Sequence, residues 1–329
     1  MKLATLSGPG PDGRLVIVSR DLARAVAAQP VAATLQDALE RWADVEPRLR
    51  AVAENLEAGR VEGEFAFDPR IVRAPLPRAW QWLDGSAYPS HGALMQKAIG
   101  HDPIQSDRPL MYQGMSHQFL GPTDDVLLPD EADGIDFEGE FGVITDAVPM
   151  GASREVAAAR IRLIVQINDW SLRAVAPVEF ATGFGFVQAK PACSMAPVAV
   201  TTDELGDAWR DARVHLPLRV WWNGELFGRP DGGAMAFGFD ELVAHAARTR
   251  SLCAGTIIGS GTVSNEAYRE VGSTCIAERR GLEIIDHGAP KTGFMRFGDT
   301  VRMRAGHADD LPPFGAIDQR VVQGGRIVE

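Results

Sequence analysis

Between residues 143 and 305 the chain is punctuated by short β-rich runs: "VITDAVPM", "RLIVQINDW", "LRVWWNGELFG", "GTIIGSGTV", "TCIAERRGLEII" and "DTVRMRA". Strands that alternate regularly with helices would build a doubly wound parallel fold, and these do not. They predict an α+β, β-rich fold of curled, mostly antiparallel sheets with peripheral helices. Asn223-Gly224 between apolar flanks marks a hairpin. Helices are predicted around "SREVAAARIRL", with Ser153 as cap, and around "FDELVAHAARTR". "GSGTVS" has neither the spacing nor the lysine of a phosphate-binding loop.

The first part of the chain reads differently. "LATLSGPGPDGRLVIVS" is strand, Gly/Pro/Asp turn, strand. From Thr34, a candidate N-cap, Leu35, Leu39, Trp42, Val45, Leu49, Val52 and Leu56 recur near helical spacing until Gly59, with Pro47 expected to interrupt or kink the helix. "DPRIVRAPLPR", residues 68–78, is proline-rich and aperiodic. It predicts a boundary near Leu76, with a small N-terminal domain over 1–75 and a larger one over 76–329.

Composition narrows the function. A chain of 329 residues with 45% hydrophobic and 23% charged content can fill one large core or two modest ones. Its net charge of −11, with basic clusters no longer than pairs such as Arg279-Arg280, argues against a nucleic-acid partner. "MKLATLSGPGPDGRLVIVSR" lacks the apolar run of a signal peptide, and no stretch approaches the ~18 apolar residues of a membrane span. A cytoplasmic protein without membrane contact is the expectation. Cys193, Cys253 and Cys275 have no disulfide or zinc-site spacing and are expected to be reduced, buried thiols.

"GIDFEGEFGVITD", residues 134–146, carries three carboxylates into an apolar run. On a regular strand Asp136, Glu138 and Glu140 project to one side. Either this is a solvent-facing acidic edge, or the charges are partly buried and need protonation, a cationic partner or a metal. A further acid, Asp169 in "QINDWSLR", ends a β-branched run and is either a turn or helix cap or a further ligand. An all-oxygen set of Glu138, Glu140 and Asp169 would favour magnesium, manganese or calcium over zinc.

"DFEGEFGVI", "NDWSLRAVAPVEFATGFGFVQAKPACSMAPVAV" and "GTIIGSGTVS", in that order, resemble the fumarylacetoacetate hydrolase family over roughly residues 80–305. The resemblance implies a fumarylacetoacetase-like mixed β-roll, with the N-terminal unit matching an accessory domain in position only. It implies a divalent cation, magnesium first and manganese or calcium next, on Glu138, Glu140 and Asp169. "DGSAYPSH" reproduces the family spacing of one more ligand, Asp84, seven residues before the catalytic base, His91. By the same resemblance Lys190 and Arg173 face the substrate as cations and Thr262 holds its carboxylate, with Gln188 and Tyr88 as nearby polar candidates.

Relatives pair the catalytic His with a Glu either three residues downstream, here Leu94, or on a late strand. Ile276 aligns with that late position, and Glu278, two residues on, would share the same strand face and serve as the partner of His91. The implied activity is metal-dependent hydrolysis of a carbon–carbon bond in a 1,3-diketo acid. The alternatives are a lyase on the same scaffold, decarboxylating, hydrating or dehydrating a keto acid, or a silent keto-acid binder. A small-molecule diketo acid is the implied partner, and a homodimer the implied assembly.

Overall fold

The computed structural model describes residues 1–98, 100 and 106–324. Its spine is an open sheet with strands in the order Phe65–Ala66, Arg24–Ala27, Arg14–Val18, Lys2–Leu6, Ala199–Thr201, Ile161–Asn168, Gly139–Thr145, Thr256–Gly259, Trp82–Gly85 and Met111–Gly114. Neighbours along this path are antiparallel except Thr256–Gly259 with Trp82–Gly85. The N-terminal hairpin forms as expected, Lys2 opposite Val18 and Leu6 opposite Arg14. Lys2–Leu6 then pairs with Ala199–Thr201, so one sheet runs across the boundary expected near Leu76.

Gly139–Thr145 is buried at every position, as a strand covered on both faces must be. Phe141 and Val143 pack with Leu218, Val220, Met303 and Ile317 of a second sheet. That sheet is ordered Glu225–Gly228, Leu218–Trp222, Thr300–Ala305, Ile317–Gln323, Val126–Leu128. Gln166 ties the two sheets together, donating to the Met303 carbonyl at 3.1 Å and accepting from the Ala305 N–H at 2.8 Å. On the opposite face Ile144, Leu163 and Ile257 meet Leu35, Leu39, Trp42 and Leu49 of the N-terminal helices. The chain is thus layered as helices, large sheet, smaller sheet. Among the described residues no helix is long and apolar enough to cross a membrane.

Four local expectations are corrected. The N-terminal helix breaks at Arg41, between Leu35–Glu40 and Trp42–Glu57, and Pro47 lies inside the second helix. There its missing N–H deprives the Ala43 carbonyl of its usual helical partner without ending the helix. "TCIAERRGLEII" is the helix Ile276–His287 and not a strand. Its Ile-rich composition imitates a β-run, but Ile276, Ala277, Gly281 and Leu282 are buried along one helical face. Cys253 is exposed, whereas Cys193 and Cys275 are buried thiols.

The fourth correction concerns the acidic run. Ile135–Asp136 pairs with Ser171–Leu172, and regular pairing resumes only at Gly139, so Asp136, Glu138 and Glu140 do not lie on one continuous strand. The fully buried Asp136 carboxylate instead accepts the backbone N–H groups of Ile276 and Ala277, at 2.7 and 2.9 Å, at the start of the helix Ile276–His287. A carboxylate there meets the positive end of the helix dipole. It also accepts from Arg173 Nε at 2.8 Å. Asp136→Ala leaves two buried N–H groups without their acceptor and removes one of the two carboxylates paired to Arg173, and is expected to cost about 3–5 kcal/mol. The shift in urea midpoint measures it.

Candidate active site

Three strand ends bring acids together. Asp84 lies in Trp82–Gly85, Glu140 opens Gly139–Thr145 and Asp169 follows Ile161–Asn168. Gly142 and Asp84 both lie opposite Gly259 in register, and Gly139 lies opposite Asn168, so the three positions converge on one side of the sheet. One oxygen from each acid lies within 4.8 Å of the others. Gly259 makes room for this: a Cβ there would stand 2.3 Å from Asp84 Oδ1. The "GSG" segment therefore serves the carboxylate, and the Gly261 N–H donates to Asp84 Oδ1 at 3.0 Å.

The cluster is under electrostatic strain as a set of protein groups alone. Among the described residues neither buried Glu140 oxygen receives a hydrogen bond from a fixed donor. Burial first, and then the negative charges of Asp84, Asp169 and Glu138, push the Glu140 carboxyl well above the usual carboxylate range. Burial and then Asp169 do the same to Asp84. A hard divalent cation is what such an all-oxygen set accommodates. Asp84, Glu140 and Asp169 fit it.

Glu138, expected in the same ligand set, stands beside the trio and is engaged elsewhere. It accepts from Lys190 Nζ at 3.1 Å, Thr262 Oγ1 at 2.7 Å and Ser171 Oγ at 2.7 Å, and forms an ion pair with Arg173 Nη2 at 2.5 Å. Burial would raise its carboxyl, but Arg173 and Lys190 together hold it below the ordinary range. Lys190 Nζ bridges from Glu138 to Asp169 Oδ2, 2.6 Å away. The two cations expected to face the substrate thus reach the site while paired to its acids, and both line its cavity.

His91 sits in the first turn of the helix Pro89–Ala98, half-buried on the wall of the same cavity. Its Nδ1 is 3.0 Å from Glu278 Oε1. The partner comes from the third position of a helix and not from a strand, because Cys275 Sγ caps that helix and accepts the Glu278 N–H. Burial opposes charge on Glu278, but hydrogen bonds and charge from His91, with hydrogen bonds from Ser264 and Ser273, hold its carboxyl below the usual range. An ionised Glu278 favours the neutral tautomer with its proton on Nδ1, the form in which Nε2 is an acceptor. Leu94, where short relatives would place a Glu, is buried against the same helix: a Cβ at Gly281 would lie 3.1 Å from Leu94 Cδ2.

The remaining candidates divide. Thr262 lines the cavity with its hydroxyl donating to Glu138. The Tyr88 ring is on the wall, but its hydroxyl donates to the Gly232 carbonyl at 2.8 Å. Gln188 is not brought to the site: it is exposed, in a loop folded around the Glu179 carboxylate, which accepts its backbone N–H at 2.8 Å. Tyr112, Cys193 and Ser273 went unread. Tyr112 donates to Asp169 Oδ2 at 2.6 Å, Cys193 Sγ lies 2.9 Å from Asp169 Oδ1, and Ser273 donates to Glu278. Tyr112 reaches the site through its register opposite Asp84, a pairing that no local sequence pattern announces.

Residues 81–322 match the family described as fumarylacetoacetate (FAA) hydrolase C-terminal, and residues 1–78 match fumarylacetoacetase N-terminal domain 2. A 2,4-didehydro-3-deoxy-L-rhamnonate hydrolase from Sphingomonas sp. (strain SKA58) is 27% identical over 163 residues, 49% of this chain and 54% of that one. A mitochondrial oxaloacetate tautomerase, Fahd2a of Rattus norvegicus, is 26% identical over 47% of this chain and 48% of that one. The chain thus spans about half the length of the curated relatives it matches. The crystal structure of maleylpyruvate hydrolase from Sphingobium sp. SYK-6, in complex with manganese (II) ion and pyruvate, superposes with a TM-score of 0.66 at 19% identity, over 99% of this chain and 100% of that one. With the family match covering most of its length, the chain belongs to the fumarylacetoacetate hydrolase family.

Proposed function

We propose that this chain is a divalent-cation-dependent hydrolase that cleaves a carbon–carbon bond of a 1,3-diketo acid of the fumarylacetoacetate, fumarylpyruvate or acylpyruvate type. The observation that carries the reading is that His91, paired to Glu278, lines the same cavity of about 1090 Å³ as Asp84 of the acid trio and Glu138 beside it. Asp84, Glu140 and Asp169 would hold the cation, with Glu138 beside them. The manganese in the maleylpyruvate hydrolase and the oxygen donors here support manganese or magnesium. When bound, such a cation polarises the dicarbonyl oxygens and takes up charge that develops on them.

The protein's own groups do the rest. His91 Nε2 removes a proton from water as its oxygen bonds to the carbonyl carbon, and Glu278 stabilises the resulting imidazolium. Lys190 and Arg173 supply positive charge where the oxyanion grows. When the bond between the two carbonyl-bearing fragments breaks, its electron pair leaves with the departing carbon. The proton held by His91 returns to that carbon, giving two products, one a new carboxylic acid.

A second reading, keto–enol tautomerisation of a keto acid, is supported by the similarity to oxaloacetate tautomerases. It uses the same proton shuttle and needs no water. Loss of the enol absorbance of fumarylpyruvate or acetylpyruvate, with both product acids recovered, tests the hydrolase. Accelerated oxaloacetate enol interconversion with no cleavage of any diketo acid would favour the tautomerase and overturn it.

A further inference from the structure

The cavity wall carries four cations, and they are not equivalent. Arg173 and Lys190 are paired to Asp136, Glu138 and Asp169. Arg108 is largely exposed, 3.8 Å from Asp107. Arg280 is half-buried and has no carboxylate partner among the described residues. It is nevertheless held in place: its guanidinium lies 4.2 Å from the centre of the Phe294 ring and donates from Nη1 to the Thr292 carbonyl.

Its position along the wall gives that cation a meaning. Ala277, Arg280, Gly281 and Ile284 all line the cavity from the helix whose first turn carries Glu278. Arg280 therefore lies about 3 Å of helix rise beyond Glu278, and roughly one turn beyond Ala277 on the wall. Beside it are Phe294 and, one turn on in the same helix, Ile284, while Met95 lies near Gly281. A planar guanidinium fixed on an aromatic face in apolar surroundings presents its free N–H groups to a carboxylate in a paired geometry.

Resting on the keto-acid reading of this site, we infer that the substrate is a dianion: a diketo acid with a second carboxylate at its far end, bound by Arg280. The dicarbonyl end would lie at the cation that the acidic cluster holds, and Arg280 selects against acyl chains that end in a methyl or phenyl group. Arg280 is a specificity-determining residue that does not touch the reacting atoms.

The test compares kcat/KM for fumarylpyruvate, which has the second carboxylate, with that for acetylpyruvate, which lacks it, in the wild type and in Arg280→Met. The expected result is a fall of about 10- to 100-fold in the ratio of the two, carried by KM, with partial recovery in Arg280→Lys. A ratio within twofold of wild type overturns the inference. Should neither compound be cleaved, the hydrolase reading fails, and fumarate binding to the manganese-loaded protein, followed by calorimetry, decides the carboxylate site. Binding weakened at least tenfold in Arg280→Met sustains that site, and equal binding in both proteins overturns it.

Discussion

His91→Ala is expected to lower the rate of diketo-acid cleavage by about 10²- to 10⁴-fold, the usual worth of a positioned general base. Cation affinity at the Asp84, Glu140 and Asp169 cluster should not move with it, because His91 lies in a separate group with Cys275 and Glu278. Glu278→Gln is the more informative companion. An amide at that position can donate its N–H₂ to Nδ1, leaving the ring proton on Nε2, where it blocks acceptance from water. A loss of at least about 10² is therefore expected with little change in bulk. Steady-state kinetics with a melting curve for each variant check both. His91→Ala retaining cleavage within threefold of wild type would place the base elsewhere.

The second large effect is a separation of stability from function at Glu140. Its two buried oxygens, without a fixed donor, cost the cation-free protein free energy, so Glu140→Gln should leave that form as stable as wild type or up to about 3 kcal/mol more stable at pH 8. Wild type should gain about 2.7 kcal/mol when manganese is present at a hundredfold excess over its Kd, and the variant should gain almost none. Scanning calorimetry with and without manganese reads both. The pH dependence follows from the raised Asp84 and Glu140 carboxyls. Folded, these groups hold protons that the unfolded chain has released. Stability of the cation-free form is thus full below the ordinary carboxylate range and falls as pH rises through the raised folded values. Cation affinity rises over that same interval as the protons leave.

Much of this site was readable before any coordinates. Glu140 and Asp169 could be named because acids beside β-branched runs are hard to explain in a core, and Asp84 from its spacing to His91 in the family resemblance; the structure brings the three within 4.8 Å. The hairpins were readable because their turns need special residues: Asn223 and Gly224 both adopt positive φ. The helix Ile276–His287 was not. Its isoleucines read as a strand, and its capping groups are a cysteine thiol and the carboxylate of Asp136, 140 residues away, which no local pattern announces. Glu278 was correctly paired with His91 on the mistaken premise of a shared strand face.

Glu138 shows a different limit. Spacing could place it near the other acids but could not say that Arg173, Lys190, Thr262 and Ser171 would all converge on it. Gln188, close in sequence to Lys190, was carried outward because Glu179 gathers the N–H groups of Val187, Gln188 and Ala189 into a tight loop.

The central claim is that the buried acids are a cation site, and manganese itself reports on it. Titrated into metal-free protein at pH 8 and followed by electron paramagnetic resonance, manganese should lose its free-ion signal until one equivalent is bound. Glu140→Gln should leave that signal near full height from the first addition. A full free-ion signal with the folded wild-type protein would contradict the account.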